Sequence, residues 1–176
     1  MKSPRLFAIM AIIVVAAAIR FIPHPPNFAP IGALALFGGT LFRSKKLALL
    51  IPVLAMLISD WMLGFHSLML VVYGCFIFNV FLGQYWIGKD PRNSARIGVA
   101  SILGSCVFFI VTNFACWLSF YEHDLTGLAS CYAAALPFFR NTLLGDAVYT
   151  TVFFGALAWA EWRLPAVRRS SMTCNA

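Results

Sequence analysis

Apolar residues run along this chain in six long blocks, at 6–22, 29–42, 47–65, 67–88, 97–120 and 138–160. A helix of about 20 apolar residues crosses a ~30 Å hydrocarbon core. In lipid a spanning segment must bond its own backbone, which a helix does. The blocks predict an all-α membrane protein, a single-domain six-transmembrane-helix bundle. The second block is the exception. As a helix, residues 29–42 cover only ~21 Å. Tilt, extension by its flanks or a partly re-entrant path is expected there.

The links between blocks are uneven. "RSKK" joins the second and third blocks, "GFHS" turns between the third and fourth, and "GKDPRNSAR" carries Pro91 and Asn93 as breakers. "HPPNFAP" holds three prolines in seven residues, so it is a stiff, non-helical link, either a plain loop or a rigid lip over a pocket. The longest link runs from 121 to 136. Its stretch 125–136 is expected to form a short helix capped by Asp124, at the surface or folded back over the bundle.

Composition agrees: 61% of the 176 residues are hydrophobic and 11% charged, against about 45–50% and about 25% in a soluble domain. The net charge of +7 raises nucleic acid as a partner, but the distribution argues against it. With the N-terminus inside, the inner segments hold Lys2, Arg5, Arg43, Lys45, Lys46, Lys89, Arg92, Arg96, Arg163, Arg168 and Arg169. These are eleven of the thirteen lysines and arginines. The positive-inside rule gives six spans, N-in/C-in. Residues 1–18 also resemble a secretory signal, but the apolar run continues past Arg20, which favours a retained helix.

An ionisable group in hydrocarbon costs at least about 2.5–3.5 kcal/mol on insertion scales, so each one asks for a partner. Here the polar residues gather toward the outer side. "PFFRNTLLGD" places Arg140, Asn141 and Asp146 in the sixth block; Arg20, His24 and Asn27 follow the first; Asp60 and His66 flank the third; Asn113 lies in the fifth. Asn79, in the inner half of the fourth, stands apart. Arg140 and Asp146 are six residues apart, a poor intrahelical spacing. Cross-bundle pairs are expected instead: Arg140 with Asp60, and Arg20 with Asp146 or Asp60. The whole set (Arg20, His24, Asn27, Asp60, Asn113, Arg140, Asn141 and Asp146) is expected to wall an outward-facing pocket for a small molecule. The rival reading is a structural or assembly protein whose charges only fix helix packing.

Other signals are blander. Gly38-Gly39, Ala35-xxx-Gly39 and Ala156-xxx-Ala160 let helices approach closely. The tryptophans sit near span ends, as an interfacial belt does. Cys75, Cys106, Cys116, Cys131 and Cys174 form no CxxC, and their odd number argues against a disulfide scaffold. The three histidines lack metal spacing, no nucleotide or hydrolase motif occurs, and no cofactor, metal or enzymatic activity is expected.

"RFIPHPPNFAPIGALALFGG", "LLIPVLAMLISDWMLGFH", "FFIVTNFACWL" and "CYAAALPFFRNTLLGDAVYTTVFFG" resemble a family of small bacterial multi-pass membrane proteins of unknown function, over about residues 20–155. That family in turn resembles the S components of energy-coupling-factor vitamin transporters. The second likeness implies a vitamin-like ligand held near the outer face. It also implies energising partners, a coupling subunit and ATPases, that dock on an AxxxA motif of the first helix. Here Ala8, Ala11, Ala16, Ala17 and Ala18 include no two four apart, a departure that weakens the case for docking. Some S components work alone, one type with a cysteine on cobalt, a role for which Cys75 would be the counterpart.

Overall fold

The computed structural model describes residues 4–19, 22–23, 25–42 and 44–164. Among them every regular element is helical: α1 (Pro4–Ile19), α2 (Ile31–Leu41), α3 (Lys45–Leu63), α4 (Met69–Phe81), α5 (Ser94–Phe120) and α6 (Leu125–Arg163). A π-helical segment, Leu82–Ile87, continues α4. Each apolar block is thus a helix. Three stretches are long and apolar enough to cross a membrane: Met69–Ile87, Ser94–Phe120 and Leu125–Arg163. Leu6–Val15 and Ile31–Leu41 are shorter apolar helices.

Short polar side chains start the helices. Ser44 accepts from Leu47 N at 3.4 Å, Asn93 from Arg96 N at 3.1 Å and Asp124 from Gly127 N at 2.6 Å. Each takes one of the first-turn N–H groups that have no partner inside the helix. Asp124 therefore caps a helix as expected, but not a separate one. Residues 125–136 are the first third of α6, which continues through Pro137 for 39 residues. Proline removes one backbone bond. Here the surrounding helix tolerates that, and contacts to α5 hold the preceding stretch in line: Tyr132 Oη donates to Ile110 O at 2.7 Å.

The bundle is organised around its shortest long-range element. Residues Ile31 to Thr40 of α2 are all buried, and α2 touches α1, α3, α4, the π segment, α5 and α6. Its 11 residues cover only ~16 Å, about half a hydrocarbon core. Leu34, Ala35 and Phe37 share one core with Ile9 and Ile13 of α1, Met56 of α3, Val80 of α4 and Phe153 of α6. The Phe37 ring lies 5.3 Å from that of Phe154 and 6.0 Å from that of Phe153. On the α4 side the helices meet backbone to backbone. A methyl on Gly39 would overlap the Val80 carbonyl, and one on Gly83 would overlap the Leu36 carbonyl. The Thr40 hydroxyl lies 2.8 Å from Leu36 O and 3.3 Å from Gly83 O across the same contact.

Outward, the helices present Phe7, Val14, Trp61, Leu70, Ile102 and Val152, all exposed. Contiguous apolar surface of this kind suits lipid. At one end the basic residues converge. Lys45 Nζ sits 5.4 Å from the Tyr85 ring centre, Arg96 Nη1 donates to Trp86 O at 3.3 Å, and Arg92 lies 3.5 Å from Glu161. The start of α3, the end of the π segment, the start of α5 and the end of α6 therefore share one face of the bundle.

The glycine contacts generate a prediction. Gly83→Ala and Gly39→Ala each push a methyl into a fixed backbone carbonyl and should lower stability by about 1–3 kcal/mol. Gly155→Ala, with nothing within 4 Å of the added atom, should be neutral. Thermal unfolding of the three variants in one detergent checks this.

Candidate functional site

The segment before α2 is a turn that the sequence spells out. Phe28 N donates to Pro25 O at 3.0 Å, and Asn27 has φ of 64°. This is a type II turn with Pro26 and Asn27 at its centre. Proline presets the first central position, and asparagine tolerates the left-handed second one. The turn rests on α6. Asn141 Nδ2 donates to Pro26 O at 3.0 Å. A methyl on Gly145 would come within 3.2 Å of Phe28 Cα. The Tyr149 ring lies 5.6 Å from that of Phe28. Residues 141, 145 and 149 recur at one-turn spacing on one face of α6, so the two unusual stretches of the sequence are halves of one interface.

Asp146 completes it. Pro30 precedes α2 and offers no side-chain cap. The Asp146 carboxylate, 5% exposed, takes that place from α6. It accepts from the Ala33 backbone N–H and from Ser105 Oγ of α5 at 2.6 Å. Gly32 admits it: a methyl there would overlap the carboxylate oxygens. A negative group at a helix N-terminus is stabilised by the unbonded N–H groups and by the helix dipole, by about 1–2 kcal/mol in buried settings.

Depth gives these bonds their importance. Asp146 lies 21 residues after the start of α6 and 17 before its end, ~32 Å and ~26 Å along the helix. The turn is non-helical backbone beside the middle of a helix about twice as long as a ~30 Å hydrocarbon core. Such backbone persists only where protein buries it or where it lines a cavity, and Pro26 and Asn27 line one here. The prolines at 23, 25, 26 and 30 also remove four N–H groups that would need partners.

The cavity lies between the turn, α5 and α6 and encloses about 350 Å³. Five of its lining residues are aromatic: Phe108, Phe109, Tyr121, Phe138 and Phe139. Phe109 and Phe139 stack at 4.4 Å. Asn27 and Asn113 bring two amides, and Cys116 and Cys131 two thiols. Thr112 and Thr142 also line it, but their hydroxyls donate to their own helix at Phe108 O and Phe138 O. Asn113 Nδ2 donates to Phe109 O at 2.7 Å, leaving its Oδ1 as an acceptor. Among the described residues no charged side chain is in the lining.

The eight expected site residues therefore divide. Asn27 and Asn113 line the cavity, and Asn141 holds its lip through Pro26. Asp146 does not line it and serves as the cap of α2. Arg140 is exposed on α6 and outside the lining. Asp60 is buried on α3 and accepts from Tyr73 Oη of α4 at 2.7 Å. The expected Asp60–Arg140 pair is thus replaced by a contact between neighbouring helices. Arg20 and His24, with the pairs proposed for Arg20, lie outside the described residues. Cys75 is buried in α4 and outside the lining.

Ser105, Tyr73 and the Ser101–Thr150 contact at 3.4 Å are polar partners the sequence reading passed over. Ser101, Gly104 and Ser105 share a face of α5 by their spacing, which is the signal that would have found them. Gly104 faces Asn79 of α4 closely enough that a methyl there would overlap its amide oxygen.

The model of the family of unknown function DUF6580 matches residues 1–167. The chain belongs to that family. No curated protein and no solved structure matches it, and no comparison links it to the S components.

Proposed function

We propose that this DUF6580 member is a multi-pass inner-membrane protein that binds a small, neutral, partly aromatic molecule in the cavity beneath the Pro25–Phe28 turn. One observation carries the reading: a cavity whose described lining is aromatic with two amides, roofed by a stiff turn. A volume of about 350 Å³ falls in the range of small-molecule sites, which are mostly apolar with few placed polar groups. Rings would stack on Phe109 and Phe139, and Asn113 Oδ1 would accept one hydrogen bond. Arg140 and Asp146, expected in the pocket wall, are not in this lining.

The arrangement of charge supports six spans with both ends inside. Lys45, Arg92, Arg96 and Arg163 belong to one end of the bundle, and the cavity and the 121–124 loop to the other. On the positive-inside rule the cavity opens outward. Uptake through it, with or without energising subunits, is the transport form of this proposal. The assembly reading draws support from Asn141, Asp60 and Asp146, all engaged in helix contacts.

Reporter fusions after Asp90 and Asp124 test the orientation. The first should report cytoplasmic and the second external; the reverse contradicts the proposal. For binding, protein purified in mild detergent should carry a small molecule detectable by mass spectrometry of the denatured extract. Phe109→Ala and Asn113→Leu should each reduce its occupancy, Asn113→Leu by about tenfold or more, as expected for loss of a buried hydrogen bond worth about 1–3 kcal/mol. Folded protein with no bound molecule, in wild type as in the variants, would favour the assembly reading.

A further inference from the structure

Two of the cavity's lining residues are cysteines from different helices, Cys116 of α5 and Cys131 of α6. Cys131 Sγ donates to Asn113 O at 3.4 Å. Asn113 stands three residues before Cys116, one turn away on the same face of α5, so the Cys131 sulfur sits beside the Cys116 side chain. Both cysteines are unlinked. The remaining described cysteines, Cys75 and Cys106, are absent from the lining. The pair was hidden in the sequence because its members are fifteen positions apart, on either side of the α5–α6 turn.

We propose that Cys116 and Cys131 are a redox-active dithiol that closes a disulfide across the cavity wall by exchange with a low-molecular-weight disulfide. The order of steps follows from access. Cys116 is half-buried and Cys131 only 2% exposed, so Cys116 meets the incoming reagent. Its thiolate attacks one sulfur of the incoming disulfide. That S–S bond breaks, and one small thiolate leaves and takes up a proton. The Cys131 thiolate then attacks Cys116 of the mixed disulfide. The second S–S bond breaks, the second small thiol leaves, and the Cys116–Cys131 bond remains. The protein loses two hydrogens and the small disulfide gains them.

Closing the bond would tie the outer third of α5 to the first turns of α6, across the 121–124 loop. The loop is already anchored to α5 there, with Trp117 Nε1 donating to Glu122 O at 2.9 Å and His123 Nε2 3.0 Å from Leu118 O. The bond would replace the Cys131–Asn113 contact and stiffen the wall opposite the proline turn. The pairing rests on geometry alone. Its cellular setting rests on the outward-facing reading, since the bacterial periplasm is oxidising and the cytosol is not.

The test uses the full-length protein in detergent and is blind to topology, so its failure is distinct from failure of the orientation proposed above. One sample is incubated with oxidised glutathione and one with dithiothreitol. Each is quenched with N-ethylmaleimide, digested and mapped by mass spectrometry. The expected result is a linked peptide containing Cys116 and Cys131, lighter than the sum of its thiol peptides by two hydrogens. Maleimide label should be lost at those two sites and not at Cys75 or Cys106, and dithiothreitol should restore it. Cys116→Ser should stop formation of the linked peptide and leave Cys131 as thiol or mixed disulfide. Full maleimide labelling of both cysteines after oxidised glutathione would overturn the proposal. So would a mixed disulfide on Cys116 that never resolves, or a link from Cys131 to Cys106.

Discussion

A helix that begins inside a bundle exposes first-turn N–H groups that it cannot bond itself, and the fold is arranged around that demand. α2 is such a helix. Its start is level with the middle of α6, its first residues carry no cap of their own, and Asp146 supplies one from outside. The bond has structural requirements on every side. Gly32 must lack a side chain for the carboxylate to fit, Ser105 must hold its second oxygen, and the chain must arrive without orphaned donors. The prolines and the Pro25–Phe28 turn meet the last requirement. Asn141, Gly145 and Tyr149 meet it from α6, by bonding, admitting and stacking on that turn. An apolar helix therefore carries polar residues because it seats a piece of irregular backbone.

That same irregular backbone makes room for the cavity. A longer helix in place of the turn would pack against α5 and α6 and fill the space between them. A turn followed by a short helix leaves that space open, lined by aromatic rings and two amides. The cap and the cavity thus have one origin, in a short second helix. The cysteine pair sits in the wall of the opening so created.

Much of the architecture was legible from the chain. Apolar blocks mark each helix because a helix in lipid must be apolar along most of its length. The caps at Ser44, Asn93 and Asp124 follow from short acceptor side chains ahead of apolar runs. PPNF spells a turn through proline's fixed φ and asparagine's tolerance of positive φ. The continuity of α6 was not legible, because Pro137 normally marks a boundary and only contacts to α5 override it. The partners of Asp60 and Asp146 were not legible either. Charge complementarity points Asp60 toward Arg140, whereas among the described residues the fold offers it Tyr73, and it offers Asp146 a serine and a backbone amide. Asn27 and Asn113 stand out in the sequence because uncharged amides in an apolar setting are few, and both line the cavity. Arg140 was assigned to the site on the strength of its charge, and the helix turns it outward.

Amide hydrogen exchange over residues 31–35 tests the central claim most directly. If Asp146 holds the start of α2, Asp146→Ala should speed exchange there by roughly tenfold, the equivalent of a lost cap worth about 1–2 kcal/mol. Asp146→Asn, which keeps one carbonyl oxygen, should have a smaller effect, and residues 94–104 of α5 should be unchanged in both. Protection of residues 31–35 that is the same in Asp146→Ala as in the wild type would contradict the account.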